Sequence, residues 1–199
     1  GVAALVIERK SYRSRVAHDL AIADAIDAAG AHWIALAGYM RLLSAGFVER
    51  FRDRIVNIHP SLLPSFPGTD GAGDALRYGV KVSGCTVHFV DEGLDSGPII
   101  AQRVVPVFPS DDRASLAARI LVEEHALFPE VLAWLVQGRV QRDGRVVRVL
   151  ETAPIAVSAC LMGEACRWDG ATKRHEGVIQ GLEGSATLRF CPEEEAGLG

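Results

Sequence analysis

Arg54-Ile55-Val56-Asn57-Ile58-His59-Pro60-Ser61-Leu62-Leu63-Pro64-Ser65-Phe66-Pro67 is the stretch on which the fold turns. Its apolar run, Ile55 to Ile58, reads as a short buried strand, and Asn57 and His59, two residues apart, fall on one face of it. That face offers an amide donor beside an imidazole. Pro60 has no N–H to give to a ladder, so the strand stops there. The stiff loop that follows can wall a pocket at the strand's carboxyl end. Taken alone, such a pair also fits a purely structural role.

Working outward, Ala3 to Ile7 reads as an apolar strand, carried by a basic loop into a helix. Val16, Leu20 and Ala23, with Ile22, Ile26 and Ala29 alongside, recur at helical spacing until Gly30. Trp33 to Ala37 is a continuous apolar run, which suits a parallel strand covered on both faces. Ser44 is placed to cap a short helix through Phe51, which returns the chain to the Asn57 strand. The order strand, helix, strand, helix, strand predicts an α/β fold with a Rossmann-like, mostly parallel sheet, in which ligands gather outside the carboxyl ends of the strands. Beyond Gly68, a helix is expected to end near Tyr78-Gly79. Val87 to Val90 and Ile99 to Val105 read as strands joined by the Asp91 to Pro98 loop. A long helix begins at Ser110 or Asp111 with Leu116, Ala117, Ile120, Leu121, Glu124 and Leu127 along it. Asp143-Gly144 between alternating segments predicts a hairpin on a type I′ turn.

The chain has 199 residues, 49% of them apolar, enough for one good core and a second small one. Its 21 basic and 25 acidic residues include no basic tract, which argues against nucleic acid as the main partner and leaves small molecules. No apolar run reaches about 18 residues, so no membrane span is expected. The first residues lack the pattern of a signal peptide, so the cytoplasm is the expected compartment.

The Asn57 to Gly68 string, followed by Val87-His88-Phe89-Val90-Asp91-Glu92-Gly93-Leu94-Asp95-Ser96-Gly97-Pro98, closely resembles the folate-dependent formyltransferases, and among them the phosphoribosylglycinamide formyltransferases of purine synthesis. The match runs from about residue 3 to about 149. The resemblance implies formyl transfer from 10-formyltetrahydrofolate to a primary amine, with Asn57, His59 and Asp95 as the catalytic set. Such a transfer passes through a tetrahedral intermediate whose oxygen becomes negative and needs donors already in place. The Asn57 amide supplies one, and a charged His59 a stronger one. Asp95 stands where the family has an aspartate that favours the charged histidine and helps move protons through a water. By the same resemblance Arg15, Met40, Arg41, Leu42 and Leu43, together with Asn57 and Asp91, Glu92, Gly93, Leu94 and Asp95, hold the folate, and Glu124 binds the glycinamide substrate. For Arg15 the plainer alternative is a solvated charge, for Met40 to Leu43 core packing, and for Glu124 an exposed salt-bridge former. His88 reads as a satisfied core histidine.

Formyltransferases of this kind begin with a strand and a glycine-rich phosphate loop that this sequence does not contain. The fold is therefore expected to be incomplete at its N-terminus, and the chain by itself to bind folate weakly and turn over poorly. Formyltetrahydrofolate deformylase and methionyl-tRNA formyltransferase use a similar set, and a non-catalytic folate-binding fragment is the contrasting class. The His-Pro-Ser-Leu-Leu-Pro string and the Phe66-Pro67-Gly68 ending fit the glycinamide enzyme better.

Residues 1–150 are taken as the formyltransferase domain and Glu151-Thr152-Ala153-Pro154 as a linker. Residues 155–199 form a small, incomplete cysteine-containing α/β segment, which makes the chain a fusion of two pieces. Ile155 to Gly170, with Cys191-Pro192-Glu193, resembles the start of a small bacterial family related to thiouracil desulfidases that hold an iron–sulfur cluster. Cys160 and Cys191 are the first choices as ligands and Cys166 the third. Three free thiols are the alternative, since the chain ends at Gly199, before that family's later cysteine motif.

Overall fold

The computed structural model describes residues 2–152, 155–166, 169, 172–182, 185 and 187–191. The chain divides into two compact units, Gly1–Leu132 with Arg142–Val147, and Ala133–Gln141 with Arg148–Gly199.

In the first unit, α1 (Arg15–Ala28), β1 (Ile34–Leu36), α2 (Ala45–Arg50), β2 (Ile55–His59), α3 (Gly71–Tyr78), β3 (Val82–Phe89), β4 (Ile99–Pro106) and the greater part of α4 (Arg113–Val136) follow in order. The sheet order is β1-β2-β3-β4. The α/β class holds, but the sheet is mixed. Only β1 and β2 run parallel, and β3 is antiparallel to both β2 and β4. The connection explains the reversal. Residues 60–70 are spent on the loop beyond β2, and α3, at roughly 12 Å, is followed by β3 starting from the end of the sheet where β2 stopped. β1 is an edge strand with Ala35 exposed, so it is not covered on both faces as expected.

The strand expected over Ala3 to Ile7 does not form, and the Ile7 carbonyl meets the His18 ring, 2.9 Å from its Nε2, instead of a ladder partner. Val2, Leu5 and Val6 are exposed there. α1 begins where Ser14 caps it, its side chain accepting from Ala17 N–H. Its inward face is the expected one at Ala23, Ile22 and Ile26, which lie in or against the core, but not at Val16 and Leu20. Val16 and Leu20 are about half exposed, while His18, Asp19 and Ala23 are buried. Asp19 is a buried polar anchor, its Oδ2 accepting from Ser44 N–H at 2.8 Å. Ser44 accordingly starts α2 without lending its side chain as a cap. Ala23, Ile34, Phe47, Phe51 and Ile55 form one core cluster, with Leu43 and Val90 packed against it.

Asp112 and Ser115 cap α4 reciprocally: Ser115 N–H donates to Asp112 Oδ1 at 2.8 Å and Asp112 N–H to Ser115 Oγ at 3.0 Å. Leu116, Ile120, Leu127 and Val131 are its buried stripe. The hairpin is present as β5 (Val140–Asp143) and β6 (Val146–Val149), but it turns on Gly144-Arg145. Gly144 at φ +57° is its one position of positive φ, the pattern of a type II′ turn with glycine first. Asp143 is spent as the last strand residue instead of opening the turn.

The second unit contains β7 (Ile155–Ser158) paired in parallel with β8 (Thr187–Phe190), and the helix α5 (Glu176–Gly181). Ala153 and Pro154 of the expected linker lie outside the described residues. So do Arg167, Trp168, Gly170, Pro192 and Glu193 of the cysteine-bearing stretch. Among the described residues no helix is long and apolar enough to cross a membrane.

Candidate active site

The carboxyl end of β2 opens into a cavity of about 710 Å³, a size that suits a drug-sized ligand. Residues from the 36–43 segment, β2, the loop after Val90 and α4 line it.

β2 brings Asn57 and His59 to one face, and antiparallel pairing sets His88 opposite Asn57 and Thr86 opposite His59. The Pro60 to Phe66 loop is pinned from beneath by Thr86. Its hydroxyl donates to Ser61 O at 2.7 Å and accepts from Leu63 N–H at 3.0 Å and from Gln102 Nε2 at 2.9 Å. Gln102 Nε2 also donates to Leu63 O at 2.9 Å.

His59 is buried, and its Nε2 lies 3.0 Å from Phe66 O. A carbonyl only accepts, so Nε2 carries a hydrogen. Nδ1 looks toward Asp95, 3.5 Å from Oδ2. The expected convergence of Asn57, His59 and Asp95 on one cavity is therefore present, with a correction in detail. Neither ring nitrogen of His59 is an unengaged donor: one faces the loop carbonyl and the other the carboxylate.

Asp95 reaches this place from a tight loop. Asp91 Oδ1 accepts from Gly93 N–H at 3.1 Å and Ser96 O–H at 2.7 Å. A Cβ on Gly97 would fall 1.8 Å from Phe89 O, so only glycine allows the loop to close on β3. Asp95 itself has φ +48°, and its Oδ2 accepts from Gly68 N–H at 2.8 Å, tying the two loops together.

Met40, Arg41, Leu42, Leu43, Asp91, Glu92, Gly93 and Leu94 line the cavity, as expected. Met40, Leu42 and Leu94 are more than half exposed there, so core packing does not account for them. Leu43 does both, since it also packs on the core cluster. Arg15 is not among the lining residues; it is exposed at the start of α1. Glu124 lines the cavity from α4, and burial pushes its carboxyl up, against the opposing influence of His125 and His59.

Sequence reasoning missed Tyr39, Thr69, Leu121 as a wall residue, His125, Phe128 and Pro129. A signal for α4 was available: 121, 124, 125 and 128 share one face at helical spacing. His88 is buried as expected, yet it also lines the cavity.

The described residues give no support to the iron–sulfur cluster expected for the cysteine segment. Among the described residues no group of three or more His, Cys, Asp or Glu is arranged to hold a metal. Cys160 Sγ lies 3.2 Å from Ser158 Oγ, and Cys191 S–H donates to Cys166 O at 3.0 Å. The Cys166 thiol is pushed up to about 11, first by its hydrogen bond with Cys191 and then by burial.

The family described as formyl transferase matches residues 1–132. The trifunctional purine biosynthetic protein adenosine-3 of Drosophila melanogaster is 52% identical over 138 residues, which is 69% of this chain and 10% of that protein. The phosphoribosylglycinamide formyltransferase of Bacillus subtilis (strain 168) is 44% identical over 135 residues, covering 68% of this chain and 69% of that one. The crystal structure of glycinamide ribonucleotide transformylase 1 from Symbiobacterium toebii superposes with a TM-score of 0.71 at 49% identity, covering 72% of this chain and 68% of that one.

Proposed function

The chain belongs to the formyl transferase family, and from that premise we propose that it transfers the formyl group of 10-formyltetrahydrofolate to the amine of phosphoribosylglycinamide in cytoplasmic purine synthesis. The observation that carries this reading is the meeting of Asn57, His59 and Asp95, from β2 and a distant loop, at the wall of one cavity. The chain spans 10% of the trifunctional relative and 69% of the bacterial one, so the activity named for those proteins is here a proposal.

In this reading the amine attacks the formyl carbon, a carbon–nitrogen bond forms, and the carbonyl oxygen becomes negative. Asn57 Nδ2–H and His59 Nδ1–H are the donors we assign to it. The 3.5 Å between Nδ1 and Asp95 Oδ2 is longer than a firm hydrogen bond, which leaves room for Nδ1 to serve the oxygen or a water. The intermediate collapses by breaking the bond to N10. The attacking nitrogen loses a proton and N10 gains one, with Asp95 and His59 the groups placed to relay it. Met40 to Leu43 and Asp91 to Leu94 are assigned to the folate and Glu124 to the amine substrate. The cluster expected for residues 155–199 is no part of the proposal.

The test is formyl transfer by the purified chain with both substrates. Formylated amine is the expected product. Release of formate at a rate indifferent to the amine would make the protein a deformylase, and folate binding without turnover would make it a binding remnant. Glu124→Gln is expected to raise KM for the amine about tenfold or more with little change in kcat, because a charged hydrogen-bond partner is lost. Binding needs Glu124 ionised and burial has raised its pKa. KM of the unsubstituted chain should therefore climb as pH falls, beginning above the ordinary carboxylate range. The Gln variant should not show this climb, which initial-rate measurements across pH will decide.

A further inference from the structure

Asn57 Nδ2 lies 3.3 Å from His88 Nε2 across the β2–β3 pairing. The other ring nitrogen, Nδ1, lies 2.8 Å from Phe89 O. A carbonyl only accepts, so Nδ1 carries the hydrogen. Burial pushes the pKa of His88 down, outweighing the opposing pulls of the Phe89 bond, Asp95 and Asp91, and the ring is uncharged at neutral pH. An uncharged ring with its hydrogen on Nδ1 presents a lone pair at Nε2. The group facing it must then be a donor, which decides the end of the Asn57 amide that points to His88.

We propose that His88 is a positioning residue: with its hydrogen held on Nδ1, it fixes the Asn57 amide so that the second Nδ2–H is offered to the oxygen of the reacting formyl group. The catalytic consequence rests on the formyl-transfer reading; the hydrogen bond does not. Without the Nε2 lone pair the amide can turn by half a rotation and set its own oxygen against the developing negative charge. The register shift between β3 and β4 at Val87/His88 is the kind of irregularity that re-aims a side chain beside a site. His88 itself is 2% exposed.

Two variants separate positioning from packing. His88→Asn leaves an amide near the place of Nδ1 and nothing near that of Nε2. His88→Gln can return an acceptor oxygen to the place of Nε2. Nitrogen-15 spectra of the unsubstituted chain should show His88 neutral with hydrogen on Nδ1, and one Asn57 amide proton shifted by a hydrogen bond that His88→Asn abolishes. An imidazolium, a hydrogen on Nε2, or Asn57 amide signals indifferent to His88→Asn overturns the proposal whatever the activity. In formyl transfer, kcat of His88→Asn should fall about tenfold with both KM values within about twofold, and His88→Gln should recover most of the loss. Equal losses in the two variants, or a loss carried by KM, overturn it. If the unsubstituted chain transfers no formyl group, the activity reading fails, and the ring and amide signals still decide the hydrogen bond.

Discussion

His59→Ala is expected to reduce formyl transfer by on the order of a thousandfold, the upper end of what removal of one preorganised donor costs. The argument is positional. His59 is buried at the end of β2, its Nε2 bonded to Phe66 O and its Nδ1 facing Asp95, so its ring is held before substrate arrives. The measurement is kcat under saturation by both substrates. Thermal unfolding and folate titration run alongside show whether the cavity survives. A loss under tenfold in a folded, folate-binding variant would sink the assignment of His59.

Asp95→Asn is expected to slow transfer roughly a hundredfold, the scale of a lost proton-transfer partner, while the fold changes little. Asparagine is one of the residues that tolerate the positive φ found at this position. Its amide oxygen can still accept from Gly68 N–H, as Oδ2 does now. Only the charge facing His59 is removed. Asp95→Ala should be slow as well, and less stable, because it loses the Gly68 bond and takes on backbone strain. If the Asn variant melts as early as the Ala variant and turns over no faster, the aspartate is structural and the relay reading is wrong.

The parts legible in the sequence were those written in local periodicity or held in a long motif. The spacing of Asn57 and His59 put both on one face, and the Asp91 to Pro98 string located the loop that brings Asp95 to them. What the sequence hid was decided by groups far apart in the chain. Asp19 carries no mark that its carboxylate will accept from Ser44 N–H, and without that Val16 and Leu20 were read onto the same inward face as Ala23, Ile22 and Ile26. The direction of β3 is set by how the 60–81 connection is spent, which alternation of side chains cannot encode. The hairpin was found, but its turn slipped by one residue, because both Asp143-Gly144 and Gly144-Arg145 place glycine at a central position. His88 sat in plain view within the motif. Its bond to Asn57 depends on strand register, which appears only once β2 and β3 are paired.

The buried Thr86 hydroxyl, clamped among Ser61, Leu63 and Gln102, has a consequence for motion. A wall fastened to the sheet by such a rivet cannot loosen piecemeal. Deuterium should therefore enter the Leu63 amide only when the sheet itself melts, and any opening and shutting of the cleft falls to its other walls, the Met40 and Leu94 segments and α4.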